Sequence, residues 1–221
     1  MNTEYKLKTS NNNYEILEKK NVRDVYEQIA DHFNVTRVNK WNWIQDFLDN
    51  YTSDSLILDL GCGNGRNMMN NNNNIQFIGV DNCSKFINIC NNKGLNVINN
   101  NIIKINLENN IADAIICIAV FHHLSTLEHR IDALKEMKRL VKIGGKILLS
   151  VWSINQPIKI KKKFNNYGNN IVMWNSYGTI FQRYYYIFKL QEIKNLFNLV
   201  GLKLIKHEYS YGNEVFILMR I

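Results

Sequence analysis

The residues best suited to chemistry sit in two neighbouring stretches. In Leu56-Ile57-Leu58-Asp59-Leu60-Gly61-Cys62-Gly63-Asn64-Gly65-Arg66, an apolar run ends in an acid and alternating glycines follow. Glycines let the backbone take positive φ and let a ligand approach where no Cβ intervenes. The pattern predicts a buried strand that turns sharply into the start of a helix. The second stretch, Ile75-Gln76-Phe77-Ile78-Gly79-Val80-Asp81, carries a carboxylate to the tip of another strand. A glycine loop followed about twenty residues later by a strand-terminal acid is the arrangement of a nucleoside site, with the acid on ribose hydroxyls.

The details separate the nucleotide classes. A phosphate-cradling loop ends in Gly-Lys-Ser/Thr, and Arg66-Asn67 stands here instead. A dinucleotide loop reads G-x-G-x-x-G, whereas this one reads G-x-G-x-G. Asp59, aimed at the ligand, would repel a pyrophosphate and suit a cation. Asp59-x-Gly61-x-Gly63-x-Gly65 joined to Asp81 resembles the cofactor site of class I methyltransferases, which bind S-adenosyl-L-methionine. A structural tight turn is the competing reading.

Several elements must position that site. Helical spacing runs through Val22, Val25, Tyr26, Ile29, Ala30 and Phe33, then through Trp41, Ile44, Phe47 and Leu48. After Asp81 comes a helix through Phe86 and Cys90 that stops near Gly94, then a short strand at Leu95–Ile98. Ala112–Val120 reads as a central buried strand with Phe121-His122-His123-Leu124 at its end. A helix over Arg130–Val141, a tight turn at Ile143–Lys146 and a strand over Ile147–Trp152 follow. Residues 153–182 are basic, aromatic and poorly periodic, including Lys159-Ile160-Lys161-Lys162-Lys163. A helix over Leu190–Val200 and a closing hairpin around Tyr211-Gly212-Asn213 complete the chain.

This alternation implies an α/β fold: Rossmann-like, with a mostly parallel central sheet, helices on both faces and an antiparallel C-terminal strand. Ligands in such sheets bind beyond the carboxyl ends of the strands. Asp59, Asp81, Asn101, His122, His123 and Trp152 all fall at that edge. Residues 1–21 are polar and expected to be disordered. Residues 22–221 form one domain, with N-terminal helices over 22–53 and a substrate-side insertion over 153–182. At 221 residues and 46% hydrophobic, the chain can bury one sizeable core.

The four cysteines form no C-x-x-C pair, so no metal site is expected and reduced thiols fit better than disulfides. The start carries no apolar signal segment, and no run is long enough to span a membrane. The expected location is the cytoplasm, with the nucleus as a second compartment. A net charge of +8 is compatible with a polyanionic partner.

A closer resemblance rests on four segments. These are Val25–Phe33 continuing to Thr36-Arg37 and Trp41; Ile118–Thr126 with Arg130; Trp152-Ser153-x-Asn155-Gln156; and Arg183-Tyr184-Tyr185-Tyr186. Together they resemble the eukaryotic tRNA carboxymethyluridine methyltransferases, which esterify a modified uridine at the anticodon wobble position. The resemblance covers residues 22–221. It implies S-adenosyl-L-methionine as cofactor, the tRNA anticodon loop as partner, and a small zinc-containing activator subunit. It also implies cofactor contacts from Tyr26, Asp59, Gly61, Gly63, Asp81, Asn82, Asn101, Ile102 and Ala119. Where the family has an acid near the adenine, Asn101 stands here, and an Asn-Trp pair becomes Asn213-Glu214.

The acceptor would be a carboxylate, ionised at neutral pH, so no general base is required. Arg is the residue suited to holding it bidentately, which makes Arg37 and Arg183 catalytic candidates together with His122. His32, His123, Trp152, Gln156, Trp174 and Tyr184 are expected on the substrate side, the tryptophans by stacking on an unpaired base. A hydrogen-bonded structural role competes for each histidine, and core packing for Trp152. A class I methyltransferase acting on a small molecule or another carboxylate, and a catalytically inactive tRNA- or partner-binding module, are the alternative functions.

Overall fold

The two apolar runs that carry Asp59 and Asp81 lie side by side. Strand β1 (Leu56–Leu60) pairs in parallel with β2 (Gln76–Asp81) on one side and with β4 (Ala112–Ile118) on the other. Beyond β2 lies β3 (Val97–Asn99), and beyond β4 lies β5 (Val141–Trp152), both parallel. Strands β9 (Asn213–Arg220) and β8 (Leu202–Ser210) close that edge antiparallel, giving the order β3-β2-β1-β4-β5-β9-β8. This computed structural model describes residues 15–69, 74–157, 164 and 166–221. The lysine cluster at 159–163 and residues 70–73 of the asparagine run lie outside them.

Helices cover both faces because the central strands are apolar on both. One core joins β4 and β5 to α4 (Leu127–Leu140) and α5 (Leu190–Leu199) through Leu134, Met137, Phe197 and Phe216. The other joins β1 and β4 to α2 (Asn42–Leu48) and α3 (Ser84–Asn92) through Ile44, Leu48, Ile57, Cys90 and Ile116. The spacing of Leu134, Met137 and Leu140 puts one stripe of α4 inward, all of it fully buried. Truncating one such side chain to Ala costs about 2–5 kcal/mol. Thr126 starts the helix by accepting the His129 N–H at 3.0 Å.

Four expectations need correction. Residues 15–18 are helical, and a π-helical turn, Lys19–Arg23, leads directly from them into α1 (Asp24–Thr36). Glu18 anchors this start by accepting from the Ser125 N–H and hydroxyl and by pairing with His129 at 2.9 Å. The glycine loop opens no helix, since residues 61–69 form successive turns. Repeated positive φ at Gly61, Gly63 and Gly65 interrupts any right-handed helix there. The break at 143–146 is an irregularity inside β5, where register against β4 slips from Ala112↔Val141 to Ala114↔Lys146.

The poorly periodic region contains a hairpin, β6 (Gly168–Ser176) with β7 (Thr179–Ile187), as a separate two-stranded sheet. Its alternation was masked because Ile171, Met173 and Ile180 are apolar yet exposed.

Candidate functional site

The carboxyl ends of the parallel strands open on a cavity of about 770 Å³. Gly61 turns the chain away from β1 with φ +74°, and a Cβ there would stand 2.3 Å from a Val120 methyl. The Gly61 and Cys62 amides donate to the Val80 carbonyl at 2.7 and 3.1 Å, which ties the loop to β2. Asp81 at the end of β2 accepts the Gly63 N–H on Oδ2 (2.8 Å) and the Cys83 N–H on Oδ1 (2.9 Å). Each oxygen keeps a lone pair for a ligand hydroxyl. Burial pushes the Asp81 carboxyl up to about 6, against the opposing pull of those amides.

Asn82, Asn101, Ile102 and Ala119 line the same wall. The Asn101 carbonyl oxygen already accepts the Ile103 N–H at 3.2 Å, leaving one lone pair for a ligand amino group. Ala119 holds the left-handed φ of +58° where β4 ends, its N–H shared between the Ser150 carbonyl and hydroxyl.

Asp59 departs from expectation. It lies wholly buried behind the loop and off the cavity wall, with Asn67 Nδ2 at 3.5 Å and Oδ1 unpartnered among the described residues. Burial pushes its carboxyl up to about 7. Its strand position explains this, because Asp59 precedes Leu60 inside β1 and only the residues after the strand face the opening. Arg66 lines the wall instead, stacked over Trp41 at 4.6 Å.

Another part of the cavity wall is aromatic and cationic. Arg183 on β7 is only 2% exposed and sits over Trp174 at 4.6 Å; Arg37, at the end of α1, sits over Trp174 at 4.9 Å. Among the described residues neither guanidinium has a carboxylate partner, and Arg183 Nε and Nη2 make no hydrogen bond. Burial first, and then the Arg183 charge, lower the Arg37 pKa. A buried and a half-buried cation over one ring form a site for an anion, and their planar donors match a carboxylate.

A hydrogen-bond chain fixes Arg183. His123 Nδ1 lies 2.7 Å from the Tyr184 carbonyl, which can only accept, so that nitrogen carries the proton. Nε2 must then accept from the Tyr26 hydroxyl at 3.0 Å, and Tyr26 in turn accepts from Arg183 Nη1 at 3.3 Å. Burial drives the His123 pKa down to about 3, so the ring is neutral. His122 is oriented the other way. Its Nδ1 accepts the Trp152 N–H at 3.2 Å, leaving a protonated Nε2 with no partner among the described residues. Burial lowers the His122 pKa far below its ordinary value, so it can donate a hydrogen bond while remaining uncharged. Trp152 and Gln156 also line the cavity. Gln156 spends its amide nitrogen on the Ser153 and Gly212 carbonyls, at 2.7 and 2.8 Å.

Three expected substrate residues lie elsewhere. Tyr184 turns away from the cavity and donates to Asn169 Oδ1 at 2.7 Å. Tyr185 takes its place, stacked on His122 at 4.9 Å and on Trp152 at 4.7 Å. The signal was available, because strand period puts Arg183 and Tyr185 on one face. Trp174 supports the arginines from beneath without lining the wall. His32 packs on the edge of Trp174 at 5.5 Å, outside the cavity. Sequence reading also missed Glu18 and His129 at the rim. The substituted Glu214 has a local role, accepting from the Ser153 hydroxyl at 2.6 Å and meeting His207 Nε2 at 2.8 Å.

A methyltransferase domain model matches residues 58–149. A tRNA (carboxymethyluridine(34)-5-O)-methyltransferase of Arabidopsis thaliana is 43% identical over 140 residues, covering 63% of this chain. This chain spans only 34% of that relative's length. The protein of the same name from Schizosaccharomyces pombe is 30% identical over 214 residues, covering 87% of this chain and 92% of its own. An S-adenosylmethionine-dependent methyltransferase from Clostridium acetobutylicum superposes with a TM-score of 0.67 at 14% identity. It covers 89% of this chain and 99% of its own, a likeness that shows the fold alone. No helix among the described residues is long and apolar enough to cross a membrane.

Proposed function

The chain belongs to the tRNA (carboxymethyluridine(34)-5-O)-methyltransferase family, and on that premise we propose that it methylates the carboxylate of 5-carboxymethyluridine at the tRNA wobble position. The observation that carries the reading is the pair of arginines over Trp174, without a carboxylate partner among the described residues, lining the same cavity as the Asp81 cradle. One part of the wall is suited to a nucleoside and another to an anion.

The residues present fit S-adenosyl-L-methionine. Asp81 offers two acceptors for ribose hydroxyls, Ile102 and Asn101 flank the space for a base, and the glycine loop leaves the backbone open to the amino-acid end. When bound, this cofactor supplies an electrophilic methyl group on a sulfonium. The protein's contribution is to hold the acceptor. Arg37 and Arg183 orient the carboxylate, and His122 Nε2 donates to a carbonyl or carboxylate oxygen without adding charge. The acceptor is already ionised, so no side chain need remove a proton. An over-strong clamp would stabilise the reactant, which assigns the arginines to orientation. Tyr185, Trp152 and Phe86 exclude water, and a dry site favours a reaction in which charge is neutralised.

The proposed partners are the tRNA anticodon loop and a small zinc-binding activator subunit, and the proposed location is the cytoplasm and nucleus. The test supplies labelled cofactor and tRNA lacking the ester, with and without the activator, and digests the RNA to nucleosides. Label in a base-labile wobble-uridine ester is the expected result, and Arg37→Ala should abolish it. Cofactor binding with no label in tRNA under either condition would overturn the assignment.

A further inference from the structure

The tip of the β6–β7 hairpin carries an aromatic residue where the backbone disfavours one. Tyr177 and Gly178 form a two-residue turn between Ser176 and Thr179, with φ of +50° and +92°. Two positive φ values are what a type I′ turn requires, and Asn, Asp or Gly meets the first position at far lower cost than a bulky residue. Burial does not offset the strain, because Tyr177 is 77% exposed. Strain that so little burial offsets points toward function.

The ring of Tyr177 is nonetheless placed. It lies 4.5 Å from the His32 ring at a 39° tilt, and His32 abuts Trp174, the ring beneath both arginines. His32 Nδ1 has no hydrogen-bond partner among the described residues, so the imidazole serves here as a packing surface. An aromatic ladder therefore runs from the cationic wall of the cavity outward to a ring presented to solvent.

We propose that Tyr177 is a stacking platform for an unpaired RNA base next to the nucleotide held in the cavity. This rests on the proposed function above and extends it from the modified nucleoside to its neighbours. Single-stranded nucleic acid is the occupant that fits, because bases stack on exposed aromatic faces regardless of sequence. The net charge of +8 favours a polyanion as well.

The test compares the full chain with Tyr177→Ala, Tyr177→Phe and Tyr177→Gly. Each is assayed for binding to an anticodon stem-loop carrying 5-carboxymethyluridine, by fluorescence anisotropy, and for methyl transfer to that stem-loop and to the free nucleoside. Tyr177→Ala should weaken stem-loop binding by roughly tenfold or more, with nucleoside turnover unchanged. Tyr177→Phe should stay within about twofold, since only the ring is needed. Tyr177→Gly relieves the turn and should melt no lower than wild type, yet bind RNA as weakly as Tyr177→Ala. Wild-type affinity in the Ala or Gly variant, or no stem-loop binding by the wild type, would overturn the proposal. Binding without methyl transfer refutes only the assigned reaction, and the platform is then judged on the anisotropy alone.

Discussion

Tyr26→Phe removes one oxygen and tests the chain that fixes Arg183. The hydroxyl donates to His123 Nε2 at 3.0 Å and accepts from Arg183 Nη1 at 3.3 Å. Its loss strands a buried imidazole nitrogen, costing about 1–3 kcal/mol, and removes a bond to a charged group worth about 1.5–3 kcal/mol. The aromatic packing of Tyr26 on Phe33 and Phe86 survives in Phe, so the change isolates the hydrogen bonds. For a chain of this size each kcal/mol shifts Tm by roughly 2–4 °C, so a combined loss of about 2.5–6 kcal/mol should lower the melting temperature by roughly 5–24 °C. If the freed Arg183 loses about 1.4–2.8 kcal/mol of orientation in the transition state, kcat/KM should fall roughly 10–100-fold. Because the His123 pKa lies at about 3, the ring stays neutral at working pH and the defect should be constant between about pH 6 and 8. A variant with wild-type melting and kcat/KM within about twofold would refute the reasoning, as would a defect that disappears across that range.

Exchanging neighbours on β7 should separate its faces: Tyr185→Ala should cost well over tenfold in kcat/KM, while Tyr184→Phe should leave kinetics within about twofold. Arg183→Lys should raise KM for RNA more than it lowers cofactor affinity, measured by steady-state kinetics and calorimetry, because an ammonium cannot form the planar fork. Gly61→Ala should lose cofactor binding in the same calorimetry, since its Cβ would overlap Val120. Glu18 and His129 predict a pH-dependent stability. Burial works to raise the Glu18 pKa but the His129 and Ser125 hydrogen bonds outweigh it, so it is lowered; the His129 pKa is raised by Glu18. The Glu18 contribution is lost as pH falls below its unfolded value of about 4.5, and that of His129 as pH rises through its elevated folded value above about 6.5. Glu18→Gln should therefore lower Tm more at pH 5.5 than at pH 9, and an equal loss at both would count against the pair.

The residues that determine the fold were legible in order. The apolar runs at 56–60 and 112–118 are buried on nearly every position and the run at 76–81 at Phe77, Gly79 and Val80, so their strand identity needs no partner to be read. The helical stripes of α1, α4 and α5 follow from spacing alone. The glycine loop and its carboxylate were legible for the same local reason: a positive-φ loop and a strand-terminal acid are written in neighbouring stretches, as Gly61, Gly63 and Asp81 show.

Tertiary structure decided which way the other side chains face. Asp59 was read as a ligand contact, but its place one residue before the strand end buries it. Tyr184 and Tyr185 are indistinguishable by type; strand period groups Tyr185 with Arg183, but only the packed fold turns that face toward the cavity. The chain from Tyr184 through His123 and Tyr26 to Arg183 joins elements 157 positions apart, and no local pattern encodes such a distance. Local chemistry fixed what the chain can form, whereas the charge and proton positions around Arg183, His122 and His123 arise from burial, which exists only once the distant elements pack.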